Sequence, residues 1–207
     1  MLHYETIEPE TLELLKKIQS LDEFRSMRLV GGTALALQLG HRKSVDLDFF
    51  GTMNCDTDEL VELMRGIGST QLLKRSKSIN IFIVNGIKVD FVNYDYEWIA
   101  PPIIEEDIVL AMEPDIAAMK VNAIIGRGTR KDFIDIAFLL KKYSLSQILH
   151  FYFSKYPEAS IFLASKSLAY FDDADNDPMP FMLNEETWDE IKQYISSKYE
   201  DYEDNYY

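Results

Sequence analysis

The chain lacks the residues that disulfide scaffolds and most zinc sites require. Its 207 residues include a single cysteine, Cys55, and three histidines. One cysteine excludes an internal disulfide and a cysteine-based zinc site, and the histidines lie too far apart along the chain to indicate a metal cluster. The sequence therefore predicts neither a disulfide-stabilised scaffold nor a zinc module.

Long hydrophobic runs are also missing. None approaches the roughly 18 residues that a membrane-spanning helix needs, and the first residues do not show the basic and then apolar pattern of a signal sequence. We therefore expect a cytoplasmic protein without a membrane segment. Hydrophobic residues nevertheless make up 47% of the chain, with 12 Phe, 12 Tyr and 2 Trp. This apolar content excludes a disordered chain and suffices for one large or two small domains.

Positive charge is scarce. The net charge is −14, which argues against a general basic surface for nucleic acid. Residues 172–207 hold twelve acids and two lysines, so most of the negative charge belongs to the C-terminal part. In the remainder, one local basic cluster can still meet phosphates. It comprises Lys120, Arg127, Arg130 and Lys131.

The hydrophobic pattern changes near residue 105. Before it, strands are predicted at 27–30, 45–50, 79–84 and 87–92, and helices at 9–20, 34–39 and 56–67. Asn85-Gly86 predicts a tight type I′ hairpin between the last two strands. After it, helices are predicted at 114–125, 131–143, 145–155, 161–171 and 185–199. The prediction is an α+β fold with a mixed α/β domain (1–105), a helical domain (106–199) and an acidic frayed tail (200–207).

Three aspartates stand out because of their strand context. Asp46 and Asp48 alternate with Val45 and two further apolar residues, so both carboxylates should project from one face while the apolar side chains point into the core. Two carboxylates, completed by phosphate oxygens, are a common way to hold Mg²⁺ in phosphoryl-transfer sites. Asp90 lies on another predicted strand. If the hairpin lies beside the strand of Asp46 and Asp48, the three carboxylates converge.

The Asp-x-Asp pattern by itself is weak, because it recurs at 56–58 and 173–177 in polar stretches. The second of these begins like a calcium-binding loop, but Pro178 stands where that loop requires glycine. We interpret 173–177 as a solvated linker.

A glycine pair precedes the aspartates. Gly31, Gly32 and Thr33 follow a predicted strand and open a helix, where backbone N–H groups can bind an anion such as a phosphate. The alternative is a tight turn capped by Thr33. Arg42 and Ser44 flank the strand of the aspartates and could either orient a carboxylate or cap a turn.

These blocks resemble a known pattern. The nucleotidyltransferase superfamily has a glycine pair followed by Asp-x-Asp, and this pattern is similar to residues 30–35 (Val-Gly-Gly-Thr-Ala-Leu) followed by 41–50. More narrowly, the same residues resemble the AbiEii/AbiGii-type toxins of bacterial toxin–antitoxin and phage-defence systems. Lys120, Arg127 and the run 131–135 (Lys-Asp-Phe-Ile-Asp) resemble that family's downstream lysine and its K-D-x-x-D motif. The resemblance covers about residues 25–142.

The resemblance implies a polymerase-β-like nucleotidyltransferase fold followed by a helical domain. Its ligands would be a nucleoside triphosphate and Mg²⁺, with two ions expected. Some members transfer nucleotides to the 3′ end of tRNA and so block translation, and a cognate antitoxin is a possible partner. Carried over, the glycine turn (Gly31, Gly32, Thr33) holds the triphosphate, and Asp46 and Asp48 hold the metals with Asp90 as third carboxylate.

The second motif carries its own implied roles. Lys120 and Lys131 would be charge partners for phosphates, and Asp132 and Asp135 would position them or activate the acceptor. A structural alternative is a capping box from Thr129 to Asp132, with Asp135 one turn later on the same face.

A rival function is a non-catalytic nucleotide-binding or protein-interaction module on the same fold, docking a partner through its acidic helical end. Three converging carboxylates argue against it, because their mutual repulsion costs stability without a cation.

Overall fold

A mixed sheet with helices and a separate set of helices make up residues 1–206, the part of the chain that the computed structural model describes. The first unit consists of Met1–Asp95 and Pro101–Ala111, and the second of Tyr96–Ala100 and the chain from residue 112 onward. The chain therefore passes between the units more than once, whereas the hydrophobic pattern suggested one boundary at residue 105. The α+β class is confirmed.

The first unit is built on a sheet that has seven strands within the described residues, in the order β3-β4-β5-β2-β1-β7-β6. The strands are β1 Met27–Val30, β2 Leu47–Gly51, β3 Thr70–Lys74, β4 Ile79–Val84, β5 Ile87–Asn93, β6 Ile103–Glu105 and β7 Ile108–Leu110. The β2/β5 and β1/β7 pairs are parallel and the other neighbours are antiparallel. The helices are α1 Pro9–Gln19, α2 Gly31–Leu39 and α3 Thr57–Ile67.

Local chemistry explains several element boundaries. Asn85 and Gly86 both have positive φ, +51° and +86°, as a type I′ turn requires, so the predicted hairpin is confirmed. Gly40 ends α2 in the left-handed conformation with φ of +65°. Asp56 begins α3 by accepting the backbone N–H groups of residues 58 and 59. This cap is the structural role of the Asp-x-Asp pattern at 56–58.

The strand of the aspartates begins later than predicted. Strand β2 starts at Leu47, and Val45 before it is 60% exposed. The prediction that Val45 points into the core is therefore wrong, because the alternation of a strand fixes side-chain direction only where the strand exists. Strands β3, β6 and β7 were not predicted from the sequence.

One face of the sheet packs the core of the first unit. Phe49 of β2, Phe82 of β4 and Phe91 of β5 are fully buried there with Phe24. The ring of Phe91 lies 4.8 Å from that of Phe24 and 5.4 Å from that of Phe49, centroid to centroid. Because strand side chains alternate, the neighbouring residues of β2 and β5 project from the opposite face.

The second unit contains the helices α4 Glu113–Gly126, α5 Arg130–Leu140, α6 Leu145–Lys155, α7 Ile161–Leu168 and α8 Trp188–Tyr206. Helix α8 continues beyond residue 200, where fraying was expected. Glu203 on its last turns accepts a hydrogen bond from Lys166 of α7 at 3.0 Å, which ties this segment to α7, and another from Tyr199 within α8 at 2.6 Å. Tyr207, also part of the predicted tail, lies outside the described residues. None of the helices in the described part is long and apolar enough to cross a membrane.

Candidate functional site

Strand register brings two of the predicted carboxylates together. Asp48 of β2 lies directly opposite Asp90 of β5, and Val30 of β1 lies directly opposite Asp48 on its other side. Since Gly31 follows Val30, three segments that are remote in sequence meet at this point of the first unit. Asp46 lies just before β2, two residues ahead of Asp48.

The glycine turn is shaped by the protein's own side chains. A Cβ atom on Gly31, whose φ is +69°, would lie 2.5 Å from Oδ2 of Asp48, and one on Gly32 would lie 2.4 Å from Nη2 of Arg42. The sequence explained the glycines by the approach of a phosphate. In the structure they also admit a carboxylate and a guanidinium to the start of α2, so Arg42 and Asp48 lie against the predicted anion-binding turn.

Thr33 links this turn to the loop of the aspartates. Its buried hydroxyl forms hydrogen bonds with Oγ of Ser44 (2.8 Å) and with the backbone carbonyl of Asp46. The N-cap residue of α2 is Val30, so Thr33 is not the cap that the alternative interpretation proposed. From the first turn of α2, its side chain instead connects the helix to the loop that carries Asp46. Arg42 is 3% exposed and donates from Nη1 to the carbonyl of Lys43 (3.0 Å).

Asp90 has a basic partner that the sequence analysis missed. Nζ of Lys88 lies 2.6 Å from both carboxylate oxygens of Asp90. The two residues are i and i+2 on one strand, so their side chains share a face, and that spacing was the available signal. The ammonium group orients Asp90 and neutralises part of the negative charge beside Asp48.

The carboxylate oxygens of Asp48 and Asp90 are the donor type that Mg²⁺ prefers. Among the described residues, no group of three or more His, Cys, Asp or Glu side chains lies close enough together to form a metal site. The predicted convergence is therefore present as Asp48 opposite Asp90 on neighbouring strands, with Asp46 just before β2, and not as a closed three-carboxylate cluster. Oxygens from a bound nucleotide would have to complete the coordination.

The second motif forms a buried ion-pair network within the second unit. Nζ of Lys120 on α4 lies 2.9 Å from Oδ1 of Asp132 and 2.6 Å from Oδ2 of Asp135, both on α5. The two carboxylates are completely buried and the Lys120 side chain is 6% exposed. Arg127 also forms a bidentate hydrogen-bonded contact with Asp132, with Nε 2.9 Å from Oδ2 and Nη2 3.2 Å from Oδ1. We call Lys120, Asp132, Asp135 and Arg127 the α4–α5 ion network.

Asp132 is held in its ionised form. Burial by itself would raise the pKa of Asp132, but the charge of Lys120 and hydrogen bonds from Arg127 and Thr129 lower that pKa to about 2. Thr129 donates its hydroxyl to Oδ2 of Asp132 at 2.6 Å, so it does not use that group to form the predicted capping box. Lys131, placed in the same predicted set, lies on the exposed side of α5.

A second buried pair in this unit was not predicted. Nζ of Lys155 lies 2.7 Å from Oδ1 of Asp115, and both side chains are fully buried. Asp115 also accepts the backbone N–H groups of Ile99 (2.9 Å) and Ala100 (3.1 Å), and Lys155 donates to the carbonyl of Glu97 (3.0 Å). This pair therefore anchors the segment 96–100 to the helices of the second unit.

The acidic stretch 173–177, predicted to be a solvated linker, is mostly exposed to solvent but is also held in place by hydrogen bonds. Asp177 accepts the backbone N–H of Arg130 at 2.9 Å, which satisfies a donor at the start of α5. Asp175 accepts hydrogen bonds from Nε1 of Trp188 (2.7 Å) and Nζ of Lys192 (2.9 Å). The carboxylates of Asp177 and Asp175 therefore attach this loop to α5 and α8, respectively.

Comparison with known proteins agrees with these features. The sequence pattern of the family described as nucleotidyl transferase AbiEii toxin, type IV toxin–antitoxin system, matches residues 13–204. The protein aq_aa25 of Aquifex aeolicus is 33% identical over 205 residues, covering 96% of this chain and 98% of that protein.

Solved structures share the fold. MenT4, a nucleotidyltransferase toxin of Mycobacterium tuberculosis, is 14% identical with a TM-score of 0.61, covering 90% of this chain and 79% of that one. JHP933 of Helicobacter pylori is 17% identical with a TM-score of 0.52, covering 96% of each chain. The fold is therefore that of polymerase-β-like nucleotidyltransferases. The family match over nearly the whole chain, together with the glycine turn beside Asp48 and Asp90, shows that this chain belongs to the AbiEii nucleotidyltransferase toxin family and is a nucleotidyltransferase.

Proposed function

We propose that this protein transfers a nucleotide from a nucleoside triphosphate to the 3′ end of an RNA, with tRNA as the acceptor, and that this Mg²⁺-dependent reaction makes it the toxin of a toxin–antitoxin pair. The observation that carries the proposal is the adjacency of Asp48, Asp90 and the start of α2 at Gly31. A carboxylate pair beside a helix N-terminus provides ligands for cations and donors for phosphates in one place.

Each residue of the first unit then has a defined task. The backbone N–H groups of Gly31 and Gly32 bind phosphate oxygens, supported by the guanidinium of Arg42. Asp46, Asp48 and Asp90 hold two Mg²⁺ ions, and Thr33 and Ser44 fix the loop that carries Asp46. When bound, Mg²⁺ lowers the pKa of the acceptor hydroxyl and neutralises charge on the departing pyrophosphate.

The reaction needs no covalent enzyme intermediate. The acceptor hydroxyl loses its proton to solvent and its oxygen forms a bond to the α-phosphorus, while the bond from that phosphorus to the bridging oxygen of pyrophosphate breaks. Because positioning and charge stabilisation supply most of the catalysis in such transfers, rigid support of the carboxylates matters. Lys88 provides that support by holding Asp90 at 2.6 Å.

We retain the predicted participation of the second motif as part of this proposal, with distinct tasks for its lysines. Lys131 is exposed and suited to phosphate contact. Lys120 is held by two carboxylates and acts by fixing Asp132 and Asp135. A cognate antitoxin remains a proposed partner.

The proposal is tested by incubating the protein with labelled nucleoside triphosphates and total cellular RNA or protein. The wild-type protein should label the RNA pool, and Asp48→Asn should reduce transfer at least about a hundredfold, since metal-held charge stabilisation is worth several kcal/mol. Asp58→Asn is the matched control, because Asp58 belongs to an Asp-x-Asp pattern but is 81% exposed and pairs with Arg75. Equal activity of Asp48→Asn and wild type would refute the assignment of the site.

A further inference from the structure

The sheet face that carries Asp48 and Asp90 continues beyond them to the edge strand β3. In the register of the strands, Asp90 of β5 lies opposite Ile81 of β4, which in turn lies opposite Lys74 of β3. Directly opposed residues in a sheet project from the same face. One row of side chains therefore runs from the two carboxylates through Ile81 to an exposed lysine. We call this face of the sheet, from β1 through β2, β5 and β4 to β3, the carboxylate face.

A second row on the carboxylate face is aromatic and aliphatic. Arg28 of β1 lies opposite Phe50 of β2, Phe50 opposite Val92 of β5, and Val92 opposite Ile79 of β4. All four side chains are half-buried, unlike the fully buried residues of the opposite face. The ring of Phe50 is paired with that of Tyr94, with 5.1 Å between the centroids.

This face carries a larger share of positive charge than the chain as a whole, with three basic residues beside the two carboxylates of Asp48 and Asp90. The net charge of the protein is −14, yet Arg28, Lys74 and Lys88 all project from the carboxylate face. Lys88 is engaged with Asp90, whereas Lys74 is exposed at the sheet edge. A phosphate backbone that crosses the face obliquely, from Arg28 on β1 to Lys74 on β3, meets positive charge at both ends and passes apolar side chains of both rows between them.

From these observations we infer that the carboxylate face binds the single-stranded 3′ end of the acceptor RNA, with its bases on Phe50, Val92 and the isoleucines of β4 and its phosphates near Lys74. This inference rests on the proposed function, since it places an RNA acceptor beside the transfer site. Unpaired bases bind to half-exposed aromatic and aliphatic side chains of a sheet, and lysines at its border contact the phosphates. The terminal hydroxyl then lies at Asp90, beside Asp48 and the start of α2.

Two variants of the carboxylate face test the inference. Lys74→Glu reverses an exposed charge, and Ile81→Thr removes apolar surface while keeping a β-branched side chain. The matched controls are Lys17→Glu on α1 and Ile104→Thr on β6, which change an exposed lysine and a 69% exposed isoleucine elsewhere in the first unit. Thermal melting of all four verifies folding, and Lys74→Glu remains informative if Ile81→Thr is unstable.

The readouts separate acceptor binding from chemistry. We expect both test variants to raise the KM for RNA about tenfold or more, equivalent to about 1.4 kcal/mol, while the KM for the nucleoside triphosphate stays unchanged. For Lys74→Glu, the slope of log affinity against log salt should fall by about 0.7 for each RNA phosphate that Lys74 neutralises in the wild type. The controls should keep wild-type values. Wild-type KM for RNA and an unchanged salt slope in both test variants would overturn the inference.

Photo-crosslinking distinguishes failure of this inference from failure of the proposed function. A short RNA with a 3′-terminal 4-thiouridine should crosslink to peptides from residues 47–51 or 70–93 of the wild-type protein, which carry the carboxylate face. Transfer to RNA with crosslinks only outside these residues supports the proposed function and overturns the docking face. If the wild-type protein labels protein instead of RNA, both the RNA acceptor and its docking face are wrong.

Discussion

Replacing Lys120 by methionine is the most informative perturbation of the second unit. Lys120 is the cation shared by two completely buried carboxylates, at 2.9 Å from Asp132 and 2.6 Å from Asp135. Methionine keeps much of the side-chain volume but leaves both carboxylates without this partner. Removing one member of a buried ion pair costs roughly 3–5 kcal/mol, because an uncompensated charge remains in the interior. For a chain of this size we expect the melting temperature to fall by roughly 6–20 °C.

The cost of the Lys120→Met replacement should depend on pH in a definite direction. In the wild type, the pKa of Asp132 is lowered from 3.8 to about 2, so this carboxylate contributes about 2 kcal/mol of stability above pH 4, which is lost as the pH falls through 2. In Lys120→Met the charge of Lys120 no longer offsets burial, while the contacts of Arg127 and Thr129 remain, so we expect the pKa of Asp132 to be higher than in the wild type. Lowering the pH then protonates Asp132 in the variant and removes the free-energy cost of its buried negative charge. The difference in unfolding free energy between variant and wild type should therefore be largest near pH 7 and smaller near pH 3.

Tryptophan fluorescence isolates the relevant unit. The chain has two tryptophans, Trp98 and Trp188, and both belong to the second unit. Urea unfolding followed by their emission therefore reports on the α4–α5 ion network. Lys131→Met is the matched control, because Lys131 is exposed on α5 and its replacement should change the unfolding free energy by less than about 0.5 kcal/mol. A loss below about 1 kcal/mol for Lys120→Met, or a loss that does not change with pH, would refute this reasoning.

Three further outcomes follow from the contacts. Gly31→Ala should lower the unfolding free energy of the first unit by more than about 1 kcal/mol in a denaturant titration, because the φ of +69° and the Oδ2 of Asp48 at 2.5 Å both oppose a Cβ atom. Asp177→Ala should cost about 1 kcal/mol in tryptophan-monitored unfolding, since it leaves the N–H of Arg130 without its carboxylate cap. Deleting residues 200–207 removes the ion pair between Glu203 of α8 and Lys166 of α7, and because this pair is partly exposed, the unfolding free energy should fall by only about 1 kcal/mol in the same assay. An unchanged unfolding free energy would show that this helical end does not contribute to stability.

The local elements could be predicted because their causes are local. The hairpin at Asn85-Gly86 needs two residues that tolerate positive φ, and the end of α2 needs one at Gly40, so these positions could be identified from the sequence. Strands β6 and β7, three residues each, are too short to show a period. Strand β3 at the sheet edge has no alternating burial, so its sequence lacks the pattern by which strands are recognised.

The site could be predicted only in part. The sequence alone identified the glycine pair, Asp48 and Asp90 as candidates, since a turn before a helix and polar residues within apolar strands are visible in the order of residues. It also indicated that Asp132 and Asp135 share one helical face, because they are three residues apart. These inferences depend on positions a few residues apart, where backbone geometry fixes the relation between side chains.

Contacts between remote segments were decided by the tertiary structure. Parallel pairing of β2 with β5 placed Asp48 opposite Asp90, and the return of the loop after α2 placed Arg42 against Gly32. Burial also distinguishes two lysines of similar sequence context: Lys120 is buried between two carboxylates, whereas Lys131 is exposed. Both are lysines in a basic stretch, and the charge of a side chain does not reveal which neighbours it will meet. Local periodicity sets the direction of a side chain within its element, but only the packing of elements sets its partners.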